Sequence, residues 1–412
     1  MRGSESRADQ ACGVIGVGWI GGLRALSLSR DPRTGGVLVA DIDQARARQV
    51  AAETGAAGWS TDYRQWLGDV GSVIIATTPE STHFPIAREC LDAGKHVLLE
   101  KPIALTLAEA RELTALAEER GVHLTIGFTQ RFNPKMSWVR SVVSSGEVGA
   151  PISVLVSRNM SHSIGLTVTS RGALGPELMQ APHDLDLCLW WLAGDAPVSV
   201  YAQSSRGTLY DATGVADCTW IVVRMSSGAT AVVGANWSVP GEYRGAQRTA
   251  VELVGRDGAV FVDDSRRDAM VTSRGSGVRR GMATMPGEDL GPVFSGPIDD
   301  ETRAFVAQTH GARGYGASGR EAVAVLELCL AAERSAAAGA PQEVSGDIGA
   351  VTGGAAPQAR GEGRRTRDDG ARDRAGPGVD PTAPGGPADG IEGRTRSGTA
   401  GGARPGRWVT ED

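Results

Sequence analysis

Residues 12–22 read CGVIGVGWIGG, and their spacing decides how the rest of the chain is taken. The apolar run predicts a strand over Cys12–Gly16. The pattern Gly16-x-Gly18-x-x-Gly21 falls where that strand hands over to a helix, the context this fingerprint requires. Gly16 permits a tight turn, Gly18 lets backbone amides approach a pyrophosphate, and Gly21 lets helix and strand pack closely. Trp19 and Ile20 open the helix, whose N-terminal amides face the anion. Asp41 ends the next predicted strand, Val37–Asp41, where a carboxylate accepts from the ribose hydroxyls of NAD and disfavours the 2′-phosphate of NADP. Arg46 and Arg48 on the following helix either form a solvated face or keep NADP open.

Working outward, short apolar runs alternate with helical stretches as far as Gly127, which predicts a parallel sheet covered on both faces. Further strands are expected at Ser72–Thr77, His96–Glu100 and Val122–Gly127, and a helix at Leu107–Arg120 between an N-cap Thr106 and a stop at Gly121. Residues 11–130 are thus a dinucleotide-binding domain. After a helix at Pro134–Ser145 the texture changes. Runs at Ile152–Ser157, Val198–Gln203, Cys218–Met225, Thr230–Trp237, Ala250–Leu253 and Ala259–Val262 predict an open, largely antiparallel sheet. One helix, Pro176–Leu192, interrupts it, and a pair at Asp299–Gln308 and Arg320–Ala338 closes an α/β substrate domain over 131–344. Residues 345–412 are rich in Gly, Ala, Pro, Arg and Asp, too poor in apolar side chains to offset their ordering entropy, and are expected to be disordered. The string IEGR at Ile391–Arg394 within them is read as coincidence.

The 412 residues carry a formal charge of -6, which argues against a nucleic-acid surface. The five cysteines are scattered without metal or redox spacing and read as reduced core residues. No metal site is expected. The polar N-terminus lacks a signal-peptide core and no apolar run suggests a span, so a soluble cytoplasmic protein is expected.

Of 42 basic residues only three are lysine, Lys95, Lys101 and Lys135. Lys101 follows an apolar strand in HVLLEKPIALT, His96–Thr106. Lysine is a compact charge whose pKa responds to burial and which can assist proton transfer, as arginine cannot. Pro102 fixes the geometry behind it, through a bond for which cis is accessible. Two more segments stand out: ATTPESTHFPIA, Ala76–Ala87, at the C-terminal end of a strand where ligands of open α/β sheets sit, and LMQAPHDLDLCLWWLAG, which sets Gln180, His183, Asp186 and Leu187 at turn spacing.

Taken in order, GVGWIGG, VADID, ATTPESTH, GKHVLLEKPIALT, GFTQRFNP, HDLDLCLWWLAG and GREAVAVLELCLAAERS resemble the Gfo/Idh/MocA family of oxidoreductases, which includes inositol dehydrogenases and glucose-fructose oxidoreductase. The resemblance covers nearly all of Ala11–Val344. It implies a Rossmann domain followed by an α/β domain whose sheet faces the nicotinamide and often mediates oligomerisation. It implies that Lys101 lies near the reacting carbon and that His183 is the general acid/base, the alternatives being an ion pair of Lys101 with Glu100 and a structural histidine. Thr77, Pro79, His83, Glu100 and Lys101 join the cofactor residues, with loop packing equally open to His83. Arg131, Asn133, Gln180, His162 and Tyr243 are candidates for the substrate, and capping is equally open to Asn133. Asp186 is expected to tie its helix to its surroundings, Asp184 to be solvated or supporting, and Trp190 and Trp191 to be core.

The sequence departs from the family at Met179, where many members place Asp or Asn one helical turn before the histidine to hold a substrate hydroxyl. The expected activity is an NAD-dependent dehydrogenase or reductase acting on a secondary alcohol or ketone of a sugar or cyclitol, as a dimer or tetramer. The rivals are a redox-neutral enzyme with tightly held, internally recycled NAD and an NAD-binding regulatory protein.

Overall fold

The computed structural model describes residues 11–240, 247–264, 269–273, 277–281, 288–289 and 294–345; the tail expected to be disordered lies outside them from residue 346 onward. The chain divides into one unit of Met1–Val271 with Arg280–Ala356 and a small one of Thr272–Arg279 with Pro357–Asp412. The first holds both seven-stranded sheets.

Its first sheet contains β1 (Ala11–Ile15), β2 (Val37–Ala40), β3 (Gly58–Ser60), β4 (Val70–Ile75), β5 (His96–Leu99) and β6 (Leu124–Ile126) in the order 3-2-1-4-5-6, all parallel. The two-residue strand Ala317–Ser318 adds an antiparallel edge beside β6. This is the Rossmann order, with its switch point between β1 and β4. Val14, Val39, Ile74 and Leu98 are buried, as strands covered on both faces require. The helices of this half are α1 (Trp19–Ser29), α2 (Gln44–Thr54), α3 (His83–Asp92) and α4 (Leu107–Arg120). Local chemistry sets their ends. Thr106 and Glu109 form a capping box on α4, and Gly121 stops it at φ +64. The three-residue β3 escaped the sequence reading because so short a run has no period to detect.

The second sheet contains β7 (Pro151–Ser161), β8 (Pro197–Ser205), β9 (Cys218–Met225), β10 (Thr230–Val239), β11 (Gln247–Gly255) and β12 (Ala259–Asp263), in the order 12-11-7-10-9-8, with Gln342–Glu343 beyond β8. Its pairs are antiparallel except β7 with β10. One face packs inward through Val154, Val156, Ile221, Val223, Val233 and Val251. On the other face the register aligns Tyr201, Val222, Val232, Leu155, Glu252 and Phe261 in one row across six strands, apolar but for Glu252. Phe261 is 70% exposed, and Trp220 lies over Gly234, where a Cβ would come within 2.6 Å of its ring.

The remaining helices are α5 (Pro134–Ser145), α6 (His162–Thr169), α7 (Pro176–Met179), α8 (Ala181–Trp191), α9 (Thr208–Thr213), α10 (Pro297–Thr309) and α11 (Gly319–Ala338). The single helix expected over Pro176–Leu192 is broken at Gln180, whose φ is -111. Pro182 explains the break: it has no N–H, and its ring would clash with the carbonyl one turn back. Helices α6 and α9 were not expected either. Closing helix α10 places Phe305 and Val306 in the same buried cluster as Val14, Leu28 and Val39, so the end of the fold returns to the first sheet. Helix α11 packs on α4, α8 and β8. Ser345, expected in the tail, donates from its N–H and hydroxyl to Glu327.

Candidate active site

The glycine loop is built from backbone shape. Gly16 has φ +79, and a Cβ there would lie 2.7 Å from Ala76 O; at Gly21 it would lie 1.9 Å from Gly16 O. Gly18 has nothing within 4 Å of such an atom, and no side chain caps α1. The first amides of that helix, from Trp19 and Ile20, are thus left to an external acceptor at an open approach, which fits a pyrophosphate. Trp19 is 66% exposed beside it. Asp41 is fixed next to the loop, Oδ2 accepting from Val17 N at 2.8 Å and Oδ1 from Asp43 N at 3.0 Å.

Two loops at the C-terminal ends of β4 and β5 stand beside the switch point. The first contains Thr77 and a cis Thr78–Pro79 bond, the second a cis Lys101–Pro102 bond. His83 is buried between them, Nδ1 2.7 Å from Pro102 O and Nε2 3.0 Å from Thr77 O. The ring faces a carbonyl of each loop, which is the loop-packing alternative. Thr82 Oγ1 donates to Thr77 Oγ1 at 2.7 Å. Glu100, expected at the cofactor, has its carboxylate directed at Arg24 instead, with Nε at 2.8 Å.

Lys101 Nζ reaches the helix break and donates to Met179 O at 2.7 Å. Burial depresses its pKa below the ordinary lysine value, opposed by Glu100 and Glu80 and aided by Arg158. Just beyond the break stands His183, edge-on to Phe128 at 6.2 Å between centroids, its Nδ1 buried without a hydrogen-bond partner among the described residues. Burial, then Lys101, then Arg158 push its pKa well below 6.5, so the ring is a neutral base at physiological pH. Gln180 Nε2 donates to Arg158 O at 2.8 Å while its Oε1, also buried, has no partner among the described residues. The Met179 side chain turns to an apolar cluster with Leu209, Val215 and Trp237. His162 opens α6, its Nε2 likewise buried and without a partner among the described residues. Tyr243 lies outside the described residues.

Of the two alternatives for Asp184 the supporting one is seen: it is fully buried and grips Arg158 of β7, with Nη2 at 2.5 Å and Nε at 2.9 Å. Arg131 does not line a mouth. It is 3% exposed, paired with Asp186 at 2.6 Å and Glu321 at 2.9 Å, and it stacks on Trp190. Asp186 therefore ties α8 to the segment before α5, though burial still lifts its pKa to about 6 against the pull of Arg131. Asn133 caps α5 by accepting from Lys135 N, and its Nδ2 donates to Asp264. Arg158 was missed altogether; the one available signal was an arginine at an inward-facing position of an alternating strand.

Residues 11–128 match the model of an oxidoreductase family with an NAD-binding Rossmann fold, and residues 136–261 match the GFO/IDH/MocA C-terminal domain. The chain is 31% identical to inositol 2-dehydrogenase 2 of Saccharopolyspora erythraea, covering 77% of this chain and 91% of that protein. It is 29% identical to inositol 2-dehydrogenase of Rubrobacter xylanophilus, covering 84% and 95%. Among solved structures, GenD2 from gentamicin A biosynthesis, in complex with NAD, superposes with a TM-score of 0.70 at 28% identity, covering 84% of this chain and 99% of that one. With both halves matched and the likeness running along most of its relatives' length, the chain belongs to the Gfo/Idh/MocA family of oxidoreductases.

Proposed function

We propose that this oxidoreductase moves hydride between the nicotinamide of NAD and a secondary alcohol of a cyclitol or a related sugar. The observation that carries the reading is the meeting of Lys101 and His183 at the helix break, an ammonium beside a neutral imidazole whose Nδ1 has no partner. Loss of hydride from a carbinol carbon requires loss of the hydroxyl proton. His183 accepts that proton at a ring nitrogen, and the Lys101 ammonium offsets the negative charge that develops on the same oxygen. Bound NAD supplies the hydride acceptor, held by the α1 amides behind Gly16, Gly18 and Gly21. Asp41, its carboxylate fixed beside the loop, favours NAD over NADP. The buried, partnerless Gln180 Oε1 is suited to accept from a further substrate hydroxyl. The names of the relatives support a cyclitol ring as the first substrate to try.

The apolar row on the open face of the second sheet supports a homo-oligomer, since exposed contiguous apolar surface marks association.

The test is NADH formation from a panel of inositol stereoisomers and sugars. Lys101→Ala and His183→Ala are each expected to lower kcat by about 10²–10⁴-fold while NAD binding, followed by fluorescence, is retained. Undiminished turnover in either variant removes the corresponding role.

A further inference from the structure

Glu100, the residue before Lys101, is held from behind. Glu100 Oε1 accepts from Arg24 twice, from Nε at 2.8 Å and Nη2 at 2.5 Å. Arg24 lies in α1, the helix that begins at the glycine loop, and its side chain is wholly buried. Its remaining contacts go to closing helix α10: Nη1 donates to Thr302 Oγ1 at 3.0 Å and Nη2 to Glu301 Oε2 at 2.6 Å. One guanidinium thus fastens three segments, its partners lying 76, 277 and 278 residues away in sequence. Only arginine has the rigid fork for this; a lysine would supply a point charge.

The cluster holds more acid than a simple tie needs. Arg24 already has Glu100, and burying a second carboxylate is costly unless its atoms are satisfied. Yet Glu301 is 1% exposed and its Oε1 has no hydrogen-bond partner among the described residues. Burial lifts its pKa to about 7, with Arg24 opposing and Glu100 adding. The arrangement matters at Lys101, because Glu100 is the foremost group favouring its ammonium against burial.

We propose that Arg24 and Glu301 are positioning residues for Lys101: they fix the Glu100 carboxylate and govern how much of its charge the lysine feels, coupling the proton-handling group to both the dinucleotide-loop helix and the helix that closes the fold. The catalytic consequence rests on the role proposed for Lys101, but the electrostatic one can be read without turnover. With only three lysines in the chain, competitive acetylation by acetic anhydride across pH, read by peptide mass spectrometry, titrates Lys101 directly, with Lys95 and Lys135 as internal references.

In the full-length Glu301→Gln chain, loss of one negative charge is expected to move the Lys101 midpoint to lower pH by roughly one unit, with the two reference curves unmoved. Thr302→Val removes an acceptor from Arg24 without changing charge; it is expected to leave the Lys101 midpoint in place and lower kcat about tenfold with little change in KM for NAD. A folded Glu301→Gln chain, with wild-type melting temperature, whose Lys101 curve superposes on wild type overturns the proposal. So does an unchanged kcat in Thr302→Val. If the Lys101 midpoint shifts as expected but wild type oxidises no cyclitol or sugar, the positioning stands and the proposed reaction fails.

Discussion

The glycine loop and the α7–α8 break, the two halves of the proposed site, are built on opposite principles. Around Gly16–Gly21 the backbone does nearly everything. Positive φ, missing Cβ atoms and unpaired amides define the loop, and the decisive residues lie within one short stretch. Around Gln180–Asp186 buried ionic pairs do the work: Asp184 with Arg158 and Asp186 with Arg131, partners 26 and 55 residues away. A site for an invariant ligand part, a pyrophosphate, can be made from shape. A site that tunes a base needs charges, and each buried charge needs a partner.

Breaking the second region is expected to have the larger effect. Asp184→Asn strips Arg158 of its carboxylate in a fully buried setting and is expected to cost about 3–5 kcal/mol in urea unfolding. A loss within the scatter of surface substitutions would mean that the pair is incidental. Gly21→Ala probes the first region. Its methyl would overlap Gly16 O, so the loop or α1 must shift, at about 1–3 kcal/mol, with weaker NAD binding; a variant that binds NAD as before would show that the close approach is not required.

The smallest effect sharpens the contrast by pH. The His183 pKa is lowered, so the ring stays neutral as pH falls through 6.5, and the acid limb of kcat/KM is expected below that value. The Lys101 pKa is lowered too, so loss of its charge is expected to bring the alkaline limb in below 10.5. A limb at or above 6.5 on the acid side would mean that burial and the neighbouring charges of Lys101 and Arg158 do not depress His183.

The same division explains what could be read in the sequence. The cofactor loop and the bounds of α4 and α5 follow from local rules, since glycine spacing, Thr106, Gly121 and Pro134 act on their own neighbours. Lys101 and His183 were visible through motif and resemblance. Arg131 was misread because an exposed and a buried arginine look alike until Asp186 and Glu321 are folded onto it. Arg24 and Arg158 were invisible for the same reason. Pro182 was in plain view, but continuous apolar periodicity through it favoured one helix, and only its clash with the preceding turn decides for two.

That proline has a consequence for how Lys101 rests. In an unbroken helix the Met179 carbonyl would be taken by the amide one turn ahead. The break releases it, and Lys101 moors there. A neutral carbonyl is a light mooring: it keeps the ammonium in place without a formal counter-charge and occupies one of its three donors. In the proposed reaction the lysine would turn toward the developing alkoxide by exchanging one acceptor for another, with no ion pair among the described residues to break first.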